Sequence, residues 1–473
     1  MLTVKEKESR RQIRCVSIED LVPQEHLLRK VESVVDFSFV REEVKDLYCI
    51  DNGRPSIDPV TLIKLCVINY MYGYNSMRRT IRECEVNMAY RWFIGYDLME
   101  AIPHFTTFGK NYKRRFEGTD IFERIFMRVL GVAMEAKLVD TSAVFIDGTH
   151  VKANANTKKN YKKIVEVEAK SYAKLLRKEI DTDREAHGKK PLKDDDENSP
   201  PETKEITVSK SDPQSGLFHK GEHKKCFAYN TQVACDKHGW IVAATVDKGN
   251  KHDSTLLPKI YKKVKKNIGK PEAVVLDAGY KTPYIAKMLL DNCVEPYMPY
   301  KRPHTKKGFF YKNEYIYDEY YDCYLCPYDQ TLRYSTTNRD GYREYKSDPA
   351  ICANCPSRQK CTQSANHTKV VTRHVWQDYL ETVEDFRHSA KGKELYALRS
   401  QSIERIFADG KENHGLRYTR HNGLAKVKTQ ILLTATVLNL KKLTKFLTKL
   451  PSSFCSFLLL FHFFTPNYLP NQF

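Results

Sequence analysis

At 473 residues the chain is roughly two to four times the usual size of one domain, which excludes a single small module and calls for two or three folded units. Hydrophobic residues make up 41% and aromatics 11%, enough for packed cores, so a wholly disordered basic protein is excluded as well. Lysine and arginine number 78 against 59 aspartates and glutamates, and the resulting charge of +19 points to a polyanionic partner without choosing a fold or a chemistry.

The first residues, MLTVKEKESRRQIRC, are charged and lack the apolar core of a signal peptide, and the thirteen cysteines are an odd number. Both features predict a reducing, cytoplasmic setting, where clustered thiols are metal or redox groups rather than disulfides. Residues 1–120 read as an all-α domain. Asp58 is an N-cap with Pro59 at the first helical position, followed by apolar residues at helical spacing. Ser76 caps a basic helix carrying Arg78, Arg79 and Arg82, and Asn87 to Trp92 forms another. Such a pair suits a helix-turn-helix on DNA, or else a bundle with a solvated basic face. Lys113, Arg114 and Arg115 follow in PHFTTFGKNYKRRF, interleaved with aromatics suited to lie along a sugar-phosphate backbone.

An amphipathic helix with Ile121, Ile125, Val129 and Val132 on one stripe opens the second unit, residues 121–450. Strands are predicted for AVFID at 143–147, TQVAC at 231–235, WIVAATV at 240–246, AVVLD at 273–277 and EPYMPY at 295–300, the second and third forming a hairpin. With a helix at YIAKMLLD and a later one through SIERIF, the order is α/β with a mixed sheet. Two insertions interrupt it: a charged one at 158–225, read as a solvated helix and a mobile loop around KDDDENSPPETKE, and a cysteine-rich one at 302–390.

Asp147 and Asp277 each end an apolar strand, with a glycine one or two residues later that lets the chain turn away. The strand order places them together at the carboxyl ends of adjacent strands. Two carboxylates so held repel unless a cation lies between them, and magnesium is the natural hard-ion occupant. Taken singly, either aspartate is also an ordinary turn former or cap. Glu404 is the candidate third carboxylate. If its segment is one helix, Lys411 lies on nearly the same face, with Tyr396 and Arg399 preceding Glu404 by eight and five residues. Arginine and lysine there would hold phosphates; the alternative is a surface helix of paired charges.

Cys323 with Cys326 and Cys352 with Cys355 form two CxxC pairs at the approximate spacing of a structural zinc ribbon. Cys361 leaves the ligand set open and is the expected spare; metal-free thiols in a loop are the alternative. His252 and Asp253, in GNKHDS, are expected to fix a loop rather than bind metal. The apolar tail 451–473 contains SSFCSFLLLFHFF, shorter than the ~20 residues a bilayer needs, so no membrane partner is expected.

Taken in order, the blocks GRPSIDPVTLIKLCVINYMYGYNSMRRTIRE, PHFTTFGKNYKRRF, FIDGTHVKANAN, YNTQVACDKHGWIVAATVDKGNKHDSTLL, VVLDAGY and IERIFADGKENHGLRYTRHNGL resemble a bacterial insertion-sequence transposase of the DDE type, in particular the IS1182 group of the IS4/IS5-like set. The resemblance implies an RNase H-like catalytic domain preceded by an all-α DNA-binding domain. It implies that Asp147, Asp277 and Glu404 hold two Mg²⁺ or Mn²⁺ ions, with Lys411 beside a phosphate and Tyr396 and Arg399 on DNA. The implied partners are double-stranded DNA, both element ends and target, and further copies of the chain in a dimer or larger assembly at the nucleoid. The implied activity is binding of terminal inverted repeats, strand cleavage and strand transfer. A degenerate copy that only binds DNA, or a nuclease without strand transfer, are the rivals. In one respect the chain departs from the pattern. The family spaces its arginine and glutamate by three residues, whereas four separate Arg399 from Glu404, and in a regular helix the extra residue turns Arg399 away by about 100°.

Overall fold

The computed structural model of the chain describes residues 13–49, 56–166, 172–193, 203–220, 224–301 and 305–447. The apolar tail and most of the KDDDENSPPETKE run lie outside the described residues. As the cap and the proline predict, α1 (Pro59–Met71) begins where the Asp58 carboxylate accepts the Val60 N–H at 3.0 Å. Nearly all of its side chains are buried, so its apolar residues run all round rather than along one stripe. In α2 (Met77–Val86) and α3 (Met88–Ile94), Asn87 ends the first helix and caps the second, leaving no linker between them. α4 (Ile121–Glu135) buries Ile121, Ile125, Val129 and Val132, the stripe its spacing predicts.

β1 (Ala143–Lys152) opens the sheet region. The charged insertion then forms β2 (Asn160–Glu166), α5 (Ala173–Ala186) and β3 (Thr203–Ser209). After β4 (Gly216–Lys220) come β5 (Lys224–Asp236), β6 (Ile241–Lys248), α6 (Asp253–Ile268), β7 (Ala273–Val275), α7 (Pro283–Asp291) and β8 (Glu295–Tyr297). β1 lies between antiparallel β5 and parallel β7, and β8 continues the sheet parallel to β7. On its other edge β5 pairs first with β4 and then with β6, both antiparallel. All five expected strands are present. β4 was not expected, because a five-residue strand inside a charged stretch carries too little pattern to stand out.

The cysteine-rich insertion is a five-stranded antiparallel sheet of β9 (Ile316–Asp318), β10 (Cys323–Leu325), β11 (Thr331–Thr337), β12 (Tyr342–Lys346) and β13 (Val370–His374). It packs around Tyr315, Tyr324, Leu332, Tyr345 and Val371. The charged insertion differs from the expectation of a solvated helix and loop. β2 and β3 pair as a ribbon, and α5 buries Leu176, Ile180 and Asp183. Asp183 lies 2.5 Å from the Arg343 guanidinium of β12 and accepts the Thr337 hydroxyl at 2.5 Å, so the two insertions dock on each other.

Four helices complete the described chain: α8 (Gln377–His388), α9 (Ala390–Leu398), α10 (Ile403–Asn413) and α11 (Leu424–Leu447). On α11, the Asn439 amide accepts the Ile241 N–H at 3.0 Å and donates to the Ile241 carbonyl at 2.9 Å, covering the edge of β6. The helical region is held to the same body. His414 Nδ1 lies 2.7 Å from the Tyr70 carbonyl oxygen, and the Arg420 guanidinium lies 4.1 Å over the Tyr70 ring. One hydrophobic core therefore runs from Leu28 through Phe126 and Phe145 to Leu443. Among the described residues no helix is long and apolar enough to cross a membrane.

Candidate active site

Phe145 of β1 pairs with Val275 of β7, so Asp147 and Asp277 each stand two residues past the same rung of a parallel ladder. Neighbouring strands lie ~4.8 Å apart, which places both carboxylates at one end of the sheet, as their strand order predicts. Asp277 is exposed, whereas the Asp147 side chain is only 19% exposed. Burial pushes the Asp147 carboxyl up to about 6; Arg399 and the Gly148 N–H pull against this, and the neighbouring charges of Asp277 and Asp253 add to it.

Asp253 belongs to this group, although its sequence context reads only as a loop former. His252 does fix the turn: its ring caps α6, accepting the Ser254 N–H at 3.3 Å. Asp253 instead reaches across to β5, where its Oδ1 accepts from the Asn230 amide at 2.7 Å and the Gln232 amide at 2.8 Å. A Cβ on Gly148 would come within 2.6 Å of that same oxygen, so the glycine after Asp147 makes room for Asp253. The buried Tyr280 hydroxyl donates to Gln232 Oε1, closing a polar network beneath the site. The signal in the sequence is an acidic residue that opens the helix following β6, the strand paired with β5.

Glu404 arrives from α10, near its amino terminus. The segment is not one helix. α9 stops at Leu398, the chain turns through Arg399 to Ser402, and α10 restarts at Ile403. The extra residue relative to the family spacing falls in this break, so the expected 100° rotation does not apply. Arg399 points into the site: its Nη2 donates to Asp147 at 2.5 Å and its Nε lies 3.9 Å from Glu404. Tyr396 stands close enough to feel Asp147, Asp277, Glu404 and Arg399, and burial raises its hydroxyl above the usual range. Lys411 sits two turns along α10 from Glu404, its Nζ 5.8 Å from the centre of the Phe407 ring.

The donor set suits hard divalent cations, being oxygen-rich and carrying more negative than positive charge. Among the described residues, no three His, Cys, Asp or Glu side chains converge at metal-holding distance. Between Asp147 and Glu404 the cation is the Arg399 guanidinium.

The other expected sites fare differently. Arg78, Arg79 and Arg82 are exposed on α2, whose opposite face buries Thr80, Ile81 and Cys84. Arg78 lies 4.4 Å over the Phe105 ring and Arg79 lies 3.7 Å from Glu83. Lys113 and Arg114 are exposed as well. Arg115 is partly exposed and is also engaged within the chain: it donates to the Leu47 carbonyl at 3.3 Å and to Ser56 at 3.2 Å and lies 4.0 Å over Tyr48, so it braces the helical region. The interleaved aromatics also turn inward, with Phe116 buried and Phe105 and Phe108 packed on the core.

The thiols do not form the expected cage of Cys323, Cys326, Cys352 and Cys355. Cys323 lies on β10 opposite Asp318 and Arg333, whereas Cys326 follows the end of that strand at a turn in which its carbonyl oxygen accepts the Asp329 N–H at 2.9 Å. Cys361, expected as the spare, is the one that feels Cys352 and Cys326, after burial as the first cause of its raised pKa. Each thiol of that group has its own partner. Cys326 accepts the Tyr328 and Gln330 N–H groups at 3.4 Å, Cys352 donates to Ser347 at 3.2 Å, and Cys361 lies 3.2 Å from the Tyr315 hydroxyl. Among the described residues no group of three or more thiols stands at metal-holding distance, and the described cysteines are all free thiols.

Comparison with known proteins gives two family matches. The model described as "Transposase domain (DUF772)" matches residues 16–114, the helical region with Arg78, Arg79 and Arg82. The model described as "Transposase DDE domain" matches residues 325–444, which include Glu404 and Lys411 but neither Asp147 nor Asp277. No curated protein matches the chain. Among solved structures, a piggyBac transposase synaptic complex with hairpin DNA aligns over 94% of this chain and 87% of that one at 9% identity, with a TM-score of 0.31 that carries no structural argument. The two family matches, a transposase domain ahead of a DDE domain as in the IS1182 group, identify the chain as an insertion-sequence DDE transposase.

Proposed function

We propose that this transposase cleaves and joins DNA strands at Asp147, Asp277 and Glu404, within an RNase H-like domain. The observation that carries the reading is that Asp147 and Asp277 each stand two residues past one rung of the sheet, with Arg399 lying between Asp147 and Glu404 across the chain break. The sheet order β6-β5-β1-β7-β8, in which β5 alone of these five runs against the rest, supports the RNase H-like assignment. Two divalent ions, magnesium or manganese, would supply when bound the positive charge that favours both the attacking and the leaving oxygen of an in-line displacement.

The chain's own groups divide the remaining work. Asp147, Asp277 and Glu404 hold the ions, and Gln232 and Asn230 fix Asp253 behind them. Lys411 and Arg399 offer cationic donors to phosphates, and Tyr396 keeps its hydroxyl proton as a further donor. A cleft of about 380 Å³ lined by Tyr297, Tyr300, Arg387, Lys393 and Tyr396 adjoins the site and suits a strand leaving it. Arg78, Arg79, Arg82, Lys113 and Arg114 grip the terminal repeats through their phosphates, and joining two ends in one event calls for two or more copies of the chain.

Incubating the protein with labelled element-end duplexes, target DNA and Mg²⁺ tests the reading. Cleavage followed by joining is expected. Binding alone would mark a degenerate copy, and cleavage without joining a nuclease.

A further inference from the structure

Arg399 is placed unlike a DNA-facing arginine. Its side chain is only 7% exposed, Nη2 is bonded to Asp147 at 2.5 Å, and Nε stands 3.9 Å from Glu404, whose own side chain is 58% exposed. The remaining nitrogen, Nη1, is buried without a hydrogen-bond partner among the described residues. A guanidinium carries five donors and a fixed charge, so leaving one donor group unpaired in a buried position is costly unless another state satisfies it. The chain break from Arg399 to Ser402 allows such a second state. Ser402 has φ −104° and ψ −92°, outside the helical region, and its hydroxyl donates to the Leu398 carbonyl at 2.9 Å. Arg399 itself is the C-cap of α9 with helical dihedrals (φ −58°, ψ −41°), so the irregular backbone lies between it and Glu404.

We infer that Arg399 is the resident counter-ion of the carboxylate site, partly offsetting the charge of Asp147 and Glu404 until divalent ions displace it. This rests on the proposed triad. It makes Arg399 a positioning residue acting through Asp147, and it assigns the buried Nη1 a purpose. Once the ions hold the carboxylates, the released guanidinium has Nη1 and Nη2 both available for bidentate donation to a phosphate. Ion binding and phosphate binding are thereby coupled through one side chain, with the guanidinium opposing the first and assisting the second.

Calorimetric titration of Mn²⁺ into the full-length chain without DNA tests this on the wild type, Arg399→Gln, Arg399→Lys and Asp147→Asn. Removing a unit charge beside the ions is expected to tighten Mn²⁺ binding by about ten-fold in Arg399→Gln. Arg399→Lys keeps the charge and stays within about two-fold of wild type on the same ground, which also shows that substitution here leaves the site folded. Asp147→Asn loses binding. If Arg399→Gln binds Mn²⁺ no tighter than wild type, and Asp147→Asn is weakened, the inference fails and the triad stands. If Asp147→Asn binds as wild type, the triad fails and the inference with it.

Discussion

At the carboxyl edge of the central sheet, Asp147 shares one guanidinium with Glu404, while Asp277 and Asp253 crowd it from either side. Where the two insertions meet, Asp183 is held by both Arg343 and the Thr337 hydroxyl. Nearby, burial pushes Asp322 up, yet the hydroxyls of Tyr345 and Tyr317 and the ring of His187 hold it below its ordinary value. Both regions bury carboxylates, and they differ in what those carboxylates lack. The insertions satisfy theirs from within the chain, which stabilises one arrangement. The sheet edge leaves an excess of negative charge that only added cations can balance, the usual mark of a working site.

Removal of the sheet-edge carboxylates has the largest expected effect. Asp147→Ala and Glu404→Gln are each expected to lower element-end cleavage by at least about 100-fold, with end binding nearly unchanged. Gel assays of cleavage and binding on the same preparations check both halves. At the insertions the effect falls on stability. Asp183→Ala removes the buried carboxylate that Arg343 and the Thr337 hydroxyl bond to and is expected to cost roughly 1–3 kcal/mol, read from urea unfolding.

Asp147→Asn sharpens the contrast by having the opposite sign. The folded carboxyl is raised to about 6 from 3.8, so the native state binds the extra proton between these values and loses stability as pH rises through that window. In EDTA at pH 8 the variant is expected to be more stable than wild type, by on the order of 2–3 kcal/mol, and the gain should shrink as pH falls towards 4. Denaturant midpoints across pH 4–8 decide it. The smallest effect belongs to the helical region. Arg78→Ala and Arg82→Ala should weaken end binding and reduce the slope of log K against log salt by roughly 0.9 for each phosphate that is no longer neutralised, while Arg115→Ala lowers stability instead.

Much of the sheet edge was legible because its signals are local. Apolar runs of four residues ending in aspartate fix a strand and the position of its carboxylate together, and Asp147 and Asp277 needed only the strand order to be paired. Asp253 was missed because its partners, Asn230 and Gln232, are more than twenty residues upstream and belong to the next strand but one. The break at Arg399 was hidden for another reason: no proline or glycine marks it, and the sequence around it reads as continuous helix. The docking of the insertions was illegible because α5 reads as a charged, solvated helix, and Asp183 reveals itself only when Arg343 is placed opposite. CxxC spacing alone did not show which thiols group, since Cys323 is held in β10 while Cys326 stands at the turn beyond it, and it is Cys361 that lies near Cys352 and Cys326.

In the proposed function Asp277 and its neighbours hold the divalent ions that support strand cleavage. Asp277→Cys puts it to the test, because a thiolate is a poor ligand for Mg²⁺ and a better one for Mn²⁺. With labelled element ends, cleavage in Mg²⁺ is predicted to fall by at least about 100-fold and to recover substantially in Mn²⁺. Cleavage by Asp277→Cys at the wild-type rate in Mg²⁺ would contradict the account.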